Sequence, residues 1–227
     1  MVVDLKFVEA VPAAVAFRLE AGCVHLWRMR YASAQKRAPL IDLLAAYLGV
    51  PESSVALRDE TRGKPRLAHP RRGAGAQALE FNWSHSGDYA LVALTRGLEL
   101  GVDIERFGKS LRALEIARRF FDGSEADALA ALGPDEREQA FIGLWCAKEA
   151  VLKAVGKGLS FGLDRLVFAR GDEADWRLVR ADPMLGDVSA WRLSSFEAAP
   201  GYRGALAWQG GPGRILAFEY PHTLRSG

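Results

Sequence analysis

Cysteine is scarce in this sequence. Its 227 residues include two cysteines, Cys23 and Cys146, which stand far apart and in no CxxC or other metal-binding spacing. This argues against a disulfide framework and against a cysteine-based metal site. Two isolated cysteines are typical of a reduced, cytoplasmic setting, in which we expect both to be small buried apolar side chains.

Long apolar runs are also lacking. No stretch of about 18 consecutive apolar residues occurs, so the sequence predicts no membrane-spanning helix. The first residues, MVVDLKFVEAVPAA, have neither the basic segment nor the long apolar run of a signal peptide. We therefore expect a cytoplasmic protein that makes no use of a membrane.

An excess of charge of one sign is missing as well. The chain has 30 Lys and Arg against 28 Asp and Glu, which gives a formal net charge of +2 at pH 7. The whole protein is therefore not expected to attract nucleic acid or another polyanion. Any basic site has to be local.

The composition does supply enough apolar surface for a core. Hydrophobic residues make up 49% of the chain and charged residues 26%, which is the balance of a globular protein. With 227 residues, the chain can form one large domain or two small ones.

The most informative stretch is FIGLWCAKEAVLKAVGKGL, residues 141–159. Its apolar residues recur at spacings of three and four, which predicts an amphipathic helix that ends at Gly156. Lys148 falls in the middle of the apolar face, whereas Glu149 and Lys153 lie side by side on its flank. The plain alternative is a core helix in which Lys148 extends outward to solvent and Glu149–Lys153 is a minor surface pair.

Short helices and strands are expected along the rest of the chain. Gly49 should end the first helix, Ser124 should cap a later one, and Pro134 should open the helix that carries the central stretch. The remaining helices are expected at 34–48, 111–121 and 125–132. Strands are expected at 2–8, 23–29, 55–58, 65–68, 165–169, 175–180, 190–196, 202–208 and 214–220, with turns at TRGKP and GGPG and a loop at 69–78.

A pair of carboxylates is expected on one strand face. Residues 81–105, FNWSHSGDYALVALTRGLELGVDIE, predict two antiparallel strands, 89–95 and 99–105, joined by a turn at Arg96-Gly97. In the second strand the apolar residues alternate with glycine and acidic residues. Asp103 and Glu105 therefore point to the same face, about 7 Å apart along the strand.

A weak internal repeat predicts the domain organisation. Residues 89–105 resemble residues 202–219, since both contain a tyrosine, a strand, a glycine turn, a strand and a glutamate. We expect an α+β fold of two similar halves, 1–106 and 107–227, each with a small, mostly antiparallel sheet and a long helix. Ala217 stands in the second copy where the first has Asp103, so polar chemistry is expected in one copy only.

The residue types favour a magnesium and phosphate centre. Magnesium prefers carboxylate and phosphate oxygens, and Asp103, Glu105 and Glu149 could supply the carboxylates. Phosphates need cations, and these could come from Lys148, Lys153, Lys64 and His85, with Lys36 or Arg37 as weaker candidates. Taken singly, DIE fits a solvated strand face, and SHS and GKP fit ordinary turns.

Taken together and in this order, the motifs RGKP, FNWSHSG, GVDIE and WCAKEAVLKAVGKGL are specific. The sequence resembles the 4′-phosphopantetheinyl transferases of the surfactin-synthetase-activating type. The strong motifs cover residues 63–167. The resemblance implies a pseudo-dimeric monomer of two similar α+β halves, with coenzyme A bound at the interface between them.

The resemblance also implies a role for each motif residue. The protein would transfer the phosphopantetheine arm of coenzyme A to a serine of an apo acyl or peptidyl carrier protein, and 3′,5′-ADP would leave. The implied magnesium ligands are Asp103, Glu105 and Glu149. The implied contacts to coenzyme A are Lys148 and Lys153 at the phosphates, Lys64, Ser84 and His85 around the nucleotide and its 3′-phosphate, and Arg37 as a looser match because Pro39 interrupts the usual pattern.

Some alternatives stay open on the sequence alone. The resemblance implies that Glu149 is also the general base, but a carboxylate on a metal is held charged and is a poorer base, so a water on the magnesium could take the proton instead. An acyltransferase that uses coenzyme A would not explain three carboxylates beside phosphates. A non-catalytic module for coenzyme A or a nucleotide, with a decayed site, would not explain why the acidic residues and lysines are intact.

Overall fold

Two β-sheets, packed face to face between two long helices, form the body of the protein. The computed structural model describes residues 3–59, 64–68, 77–108, 112–171, 175–211 and 213–221. The helices are α1 (Pro12–Val15), α2 (Ala38–Leu48), α3 (Ala113–Phe120), α4 (Gly123–Ala130) and α5 (Pro134–Ala154). The strands are β1 (Val8–Glu9), β2 (Cys23–Arg30), β3 (Leu57–Asp59), β4 (Pro65–Leu67), β5 (Leu79–Ser86), β6 (Tyr89–Arg96), β7 (Leu100–Arg106), β8 (Leu166–Arg170), β9 (Trp176–Ala181), β10 (Trp191–Ala199), β11 (Tyr202–Gln209) and β12 (Arg214–Glu219).

The larger sheet has five strands in the order β1-β12-β2-β6-β5. Strand β12 runs parallel to β1 and β2, whereas β6 is antiparallel to β2 and β5. The smaller sheet has the order β10-β11-β7 and is antiparallel throughout. Two further hairpins, β3-β4 and β8-β9, lie outside these sheets. The α+β class expected from the sequence is confirmed.

Alternation along the strands produces a four-layer packing. On β6, Val92 and Leu94 belong to the core that α2 shares, whereas Leu91 and Ala93 belong to the core between the sheets. On β11 the small side chains face the core around α5 instead. Because each strand presents a different apolar set to each side, the order is α2, five-stranded sheet, three-stranded sheet, α5.

The expected pairing of strands 89–95 and 99–105 is wrong. Strand β6 pairs with β5 and β2, and β7 leaves that sheet to pair with β11. The turn at Arg96-Gly97 therefore connects a strand of one sheet to a strand of the other. Gly97 adopts a left-handed backbone conformation in this turn, with a φ of 72°. The hairpin partner of β6 is β5, for which no strand was predicted from the sequence.

The matching segment in the second copy behaves in the same way. Strand β11 stays in the smaller sheet with β10, and β12 crosses to the larger sheet beside β2. Each of the two expected halves, 1–106 and 107–227, therefore contributes one strand to the other's sheet. The division itself stays a prediction.

Most local expectations are confirmed, with three corrections. Helix α2 begins at Ala38 rather than at residue 34, and it ends at Gly49 as expected. The first strand is only Val8–Glu9. Asp122, not Ser124, caps α4, because its carboxylate accepts the amide of Ser124 while Glu125 reaches back to the amide of Asp122.

Most of the TRGKP turn (residues 61–63), most of the loop (69–76), the first residue of the helix expected at 111–121, and Pro212 of the GGPG turn lie outside the described residues. Over the ranges that the structure describes, no helix has both the length and the apolar character needed to span a membrane.

Candidate active site

Strand β7 presents its polar face to helix α5. A Cβ on Gly101 would lie 2.0 Å from the carbonyl oxygen of Ala150 and 2.4 Å from the amide nitrogen of Ala154. Only a residue without a side chain permits this approach of strand and helix. Asp103, two residues further on, consequently faces the last turns of α5 and is only 3% exposed.

Asp103 forms a compact polar set with one residue from β5 and one from α5. Its Oδ1 accepts hydrogen bonds from Ser84 Oγ at 2.8 Å and from Lys153 Nζ at 2.6 Å. Lys153 Nζ also lies 2.8 Å from Ser84 Oγ. Residues 84, 103 and 153, which the sequence analysis assigned to one site, are thus in direct contact.

Glu149 lies one turn before Lys153 on the same face of α5 and has a perturbed acidity. The pKa of its carboxyl is raised from 4.5 to about 7, first by burial and then by the negative charges of Asp103 and Glu105, although Lys153 opposes the shift. Burial and the two neighbouring carboxylates therefore disfavour the ionised form of Glu149, which a further positive charge would stabilise. With a pKa of about 7, Glu149 can also exchange a proton near neutral pH.

Glu105 is held from the neighbouring sheet. Its Oε2 accepts a hydrogen bond of 2.8 Å from Ser86 Oγ, and the same hydroxyl accepts the backbone amide of Arg106 at 3.1 Å. The alternation that places Glu105 on the same face of β7 as Asp103 is the one expected from the sequence. The charges of Glu105 and Asp103 both raise the pKa of Glu149, so the three acidic residues interact electrostatically.

The acidic residues fit a hard divalent cation by their chemistry. In the part of the chain that the structure describes, Asp103 Oδ2 and Glu149 Oε1 are buried and have no hydrogen-bond partner. Buried anionic oxygens are unfavourable unless paired, and oxygen ligands of this kind are those that magnesium takes. Within the same ranges no group of three or more His, Cys, Asp or Glu is arranged to hold a metal ion. The fit therefore rests on the donor chemistry and on the two unsatisfied oxygens.

The structure corrects the expectation that Lys148 contacts a phosphate. Lys148 is fully buried, and its Nζ lies 2.8 Å from Oε1 of the equally buried Glu125. It also donates to the carbonyl oxygens of Leu163, at 2.8 Å, and Leu166. An ammonium group has three donors, and these acceptors use all of them. The apolar surrounding of Lys148 was read correctly from the helix period, but its partner is structural.

Lys64 and Arg37, both expected near the nucleotide, lie at different places. Lys64 Nζ is 3.4 Å from the carbonyl oxygen of Leu100 on β7 and 3.3 Å from that of Ala154 at the end of α5. It therefore adjoins the two elements that carry the acidic residues. Arg37 makes a two-pronged ion pair with Asp59, at 2.6 and 3.2 Å, and both side chains are exposed.

His85 does not share a face with Ser84. Adjacent residues of a strand point to opposite sides, and the ring of His85 lies on the side of Trp83, stacked on Tyr31 with centroids 4.6 Å apart. The imidazole is exposed. The Ser-His pair of the sequence therefore straddles β5, an edge strand of the larger sheet.

Asn82 and Ser86 also hold the site together, although the sequence motifs did not predict a role for them. Asn82 Oδ1 accepts the amide of Val102 at 2.9 Å, and Ser86 holds Glu105. Their signal was present as the period of two in N-W-S-H-S, which puts Asn82, Ser84 and Ser86 on one face.

Cys146 is buried, as expected from the sequence. Burial, followed by the charges of Asp103 and Glu105, raises the pKa of its thiol.

Known proteins that are similar to this chain are described as transferases. A family model described as the 4′-phosphopantetheinyl transferase superfamily matches residues 99–207. The 4′-phosphopantetheinyl transferase HetI of Nostoc is 33% identical over 158 residues, which is 69% of this chain and 62% of HetI. The transferase psf-1 of Bacillus pumilus is 31% identical over 163 residues, 70% of this chain and 65% of psf-1. The transferase Sfp of Bacillus subtilis is 35% identical over 126 residues, 56% of this chain and 53% of Sfp. The chain thus spans less than two thirds of the length of these relatives.

Proposed function

Since the chain belongs to the 4′-phosphopantetheinyl transferase superfamily, we propose that it modifies apo carrier proteins. In this reaction the oxygen of a carrier serine attacks the phosphorus that bears the pantetheine arm of coenzyme A. The bond to the nucleotide part breaks, and 3′,5′-ADP leaves. The observation that carries the proposal is the contact set of Asp103, Ser84 and Lys153 beside the acidic Glu149.

We propose that Asp103, Glu105 and Glu149 hold a magnesium ion. The unpartnered buried oxygens of Asp103 and Glu149 support this assignment, as does the pKa of Glu149, which is raised first by burial and then by the negative charges of Asp103 and Glu105. When bound, the ion would neutralise charge on the pyrophosphate of coenzyme A, which is the main requirement of phosphoryl transfer. Glu105 and Asp103 are presented by one rigid strand, so their spacing is set by the sheet.

Lys153 is the cation that we assign to the phosphates. Its side chain is 25% exposed and its Nζ lies 2.6 Å from Asp103 Oδ1, so it combines a fixed position with access from outside. Ser84 Oγ lies within hydrogen-bond distance of Asp103 Oδ1 and Lys153 Nζ, and it fixes their relative positions. A lysine held in this way provides alignment and charge neutralisation without taking part in proton transfer.

Glu149 can serve in either of two ways. As a ligand it stays ionised, and its role is to fix the cation. As a base, one of its carboxylate oxygens accepts the proton of the carrier serine, which a group with a pKa of about 7 can do near neutral pH. The negative charges of Asp103 and Glu105 beside Glu149 favour the ligand role, because they attract a divalent cation. A cation bound nearby in turn keeps the Glu149 carboxylate ionised.

We assign the remaining candidates to the nucleotide side of coenzyme A. Ser84 and His85 straddle the edge strand β5, so a ligand that wraps around this edge could meet both. Lys64 adjoins the ends of β7 and α5. Arg37 could reach the 3′-phosphate by exchanging its exposed partner Asp59, since exposed ion pairs contribute only about 0–1 kcal/mol.

The partners and setting belong to the same proposal. They are coenzyme A and an apo acyl or peptidyl carrier protein, with no nucleic acid and no membrane. We propose a cytoplasmic monomer in which the site lies where the two sequence halves meet. The contacts of Lys153, in the second half, with Ser84 and Asp103, in the first half, support that location.

The decisive experiment is intact mass spectrometry of a panel of apo carriers. Acyl and peptidyl carriers from fatty-acid, polyketide, peptide and lysine biosynthesis would be mixed with the protein, coenzyme A and magnesium. Addition of one phosphopantetheine to at least one carrier is the expected result. Asp103→Asn, which keeps the side-chain shape and removes the charge, is the matched control and should leave the same carrier unmodified.

Two results would count against the proposal. If no carrier of the panel gains mass, the assigned reaction fails for these carriers. If the protein binds coenzyme A and turns over equally well without magnesium, the assigned metal role fails, and a binding module with a decayed site has to be reconsidered.

A further inference from the structure

The two sheets are joined beside the acidic residues by a row of side chains. Strand β5 is an edge strand of the larger sheet, and β7 is an edge strand of the smaller one. Instead of pairing through their backbones, the two edges connect through Asn82, Ser84 and Ser86 of β5. These alternate positions all face β7, and each contacts a different part of it.

Ser86 makes the most specific of these contacts. Its hydroxyl donates to Glu105 Oε2 at 2.8 Å and accepts the backbone amide of Arg106 at 3.1 Å. A hydroxyl has one proton to donate, and here that proton goes to the carboxylate. Ser86 is only 3% exposed, so water has little access to its hydroxyl. The backbone amide thus orients the hydroxyl, and the hydroxyl orients the carboxylate.

This contact restricts the side chain of Glu105. Glutamate has three side-chain torsions and loses up to about 2 kcal/mol of entropy when it is fixed. Glu105 lies near the end of β7 and is only partly buried. A bond to a buried, backbone-anchored hydroxyl fixes it before any ligand arrives. Ser84 could not be tested for the same effect alone, since its hydroxyl also contacts Lys153.

We propose that Ser86 is a positioning residue that orients the Glu105 carboxylate for the divalent cation. The inference rests on the proposed function and adds a residue to which that proposal gives no role. Partners that orient metal ligands commonly change metal affinity by roughly 10–100-fold when they are removed. Ser86 contacts the Glu105 carboxylate, so its loss should weaken cation binding and leave the phosphate contacts in place.

The test uses Ser86→Ala in the full chain with manganese as a spectroscopic probe. Binding of Mn²⁺ alone, followed by electron paramagnetic resonance, should be about 10-fold weaker than in the parent. The magnesium concentration for half-maximal transfer should rise by a similar factor, whereas the rate at saturating magnesium should stay close to that of the parent. A merely structural serine would change the thermal transition but not this split between affinity and rate.

Ser195→Ala provides the matched control. Ser195 is a serine of strand β10 that is 5% exposed, similar to Ser86, but its strand lies on the far side of β11 from β7. Its loss should leave Mn²⁺ binding unchanged. The proposal is overturned if Ser86→Ala binds Mn²⁺ as tightly as the parent, or if both variants weaken binding equally. A parent protein that binds no Mn²⁺ would overturn the proposed metal role as well, so the two failures can be told apart.

Discussion

Lys148 shows how a single buried charge is made tolerable. Its ammonium group and the Glu125 carboxylate are both fully buried, and Glu125 also accepts the amides of Phe168 and Asp122. The sequence alone suggests that Lys148→Met should be neutral or stabilising, because a charge in an apolar face is unfavourable. With its partner in view the expectation reverses, since the substitution leaves Glu125 buried and unpaired.

We therefore predict that Lys148→Met lowers the free energy of unfolding by about 3–5 kcal/mol. Denaturant unfolding of the purified variant measures it. The matched control is Lys148→Met combined with Glu125→Gln, which keeps an acceptor for the two amides and removes the unpaired charge. The double variant should recover more than half of the loss. A single variant as stable as the parent would mean that Glu125 is not ionised in the folded protein.

Glu149 should make stability depend on pH. Its folded pKa of about 7 lies above the usual 4.5, so the folded chain holds this proton more tightly than the unfolded chain does. The stability contributed by Glu149 is therefore fully present below the usual pKa and is lost as the pH rises through 7. In EDTA, the unfolding free energy of the parent relative to Glu149→Gln should fall by roughly 3 kcal/mol across this window. Parallel pH profiles of the two proteins would contradict the assignment.

The same substitution separates the two roles of Glu149 in catalysis. Gln keeps an oxygen at the position but loses the charge and the basicity. If Glu149 is mainly a ligand, raising magnesium should restore much of the transfer rate. If it is mainly the base, the rate should stay about 10²–10⁴-fold low at saturating magnesium. We expect restoration, and turnover measured against magnesium concentration at fixed pH decides between them.

At the scale of elements, the contact of β7 with α5 depends on one glycine. A side chain at Gly101 would meet backbone atoms of α5 at 2.0 and 2.4 Å, which no rotamer change can relieve. We predict that Gly101→Ala lowers the unfolding free energy by at least about 2 kcal/mol and also reduces transfer, because Asp103 moves with the strand.

Gly143, inside α5, is the control for this substitution. A Cβ there would lie 3.7 Å from the Trp176 ring, an ordinary contact distance. Gly143→Ala should therefore stabilise the protein by roughly 0.5–1 kcal/mol, since glycine is unfavourable inside a helix. Thermal unfolding of both variants measures the contrast. Similar shifts in both would show that the approach at Gly101 is not what limits the strand position.

Elements were predictable from sequence where a local period determines them. The helix period of α5 predicted its apolar face and the position of Lys148, and Gly156 predicted its end. The alternation on β7 predicted the shared face of Asp103 and Glu105. Strand pairing was not predictable in the same way. The Arg96-Gly97 turn has the composition of a hairpin, but β7 is buried on both faces, and only the whole fold shows that it belongs beside β11.

The residues of the candidate site were likewise predictable only where a local motif carries them. Asp103, Glu149 and Lys153 were identifiable because short motifs carry them, and Ser84 because its motif has a fixed place in the order. The partner of Lys148 was not identifiable, because Glu125 lies 23 positions away and nothing local connects the two residues. The role of Ser86 was hidden for a similar reason, since it depends on a contact between strands of different sheets.

At the scale of the whole molecule, the two sequence copies are related in topology but not in chemistry. In each copy a strand stays in its own sheet and the next crosses to the other, as β6 and β7 do in the first and β11 and β12 in the second. The crossing strand β7 carries Asp103 and Glu105 under α5. The crossing strand β12 carries Ala217, and its Glu219 is paired with Arg28 at 2.5 Å.

We therefore predict one coenzyme A site per chain despite the repeat. Strand β12 has Ala217 at the position where β7 has Asp103. Its Glu219, which corresponds to Glu105, is already neutralised by Arg28. Isothermal titration of the parent with coenzyme A and magnesium should give one site per chain. Asp103→Asn should weaken that site, whereas Glu219→Gln should leave the affinity unchanged because Glu219 faces an arginine and not a ligand. A stoichiometry of two equivalent sites would contradict the argument, and so would a loss of affinity in Glu219→Gln that equals the loss in Asp103→Asn.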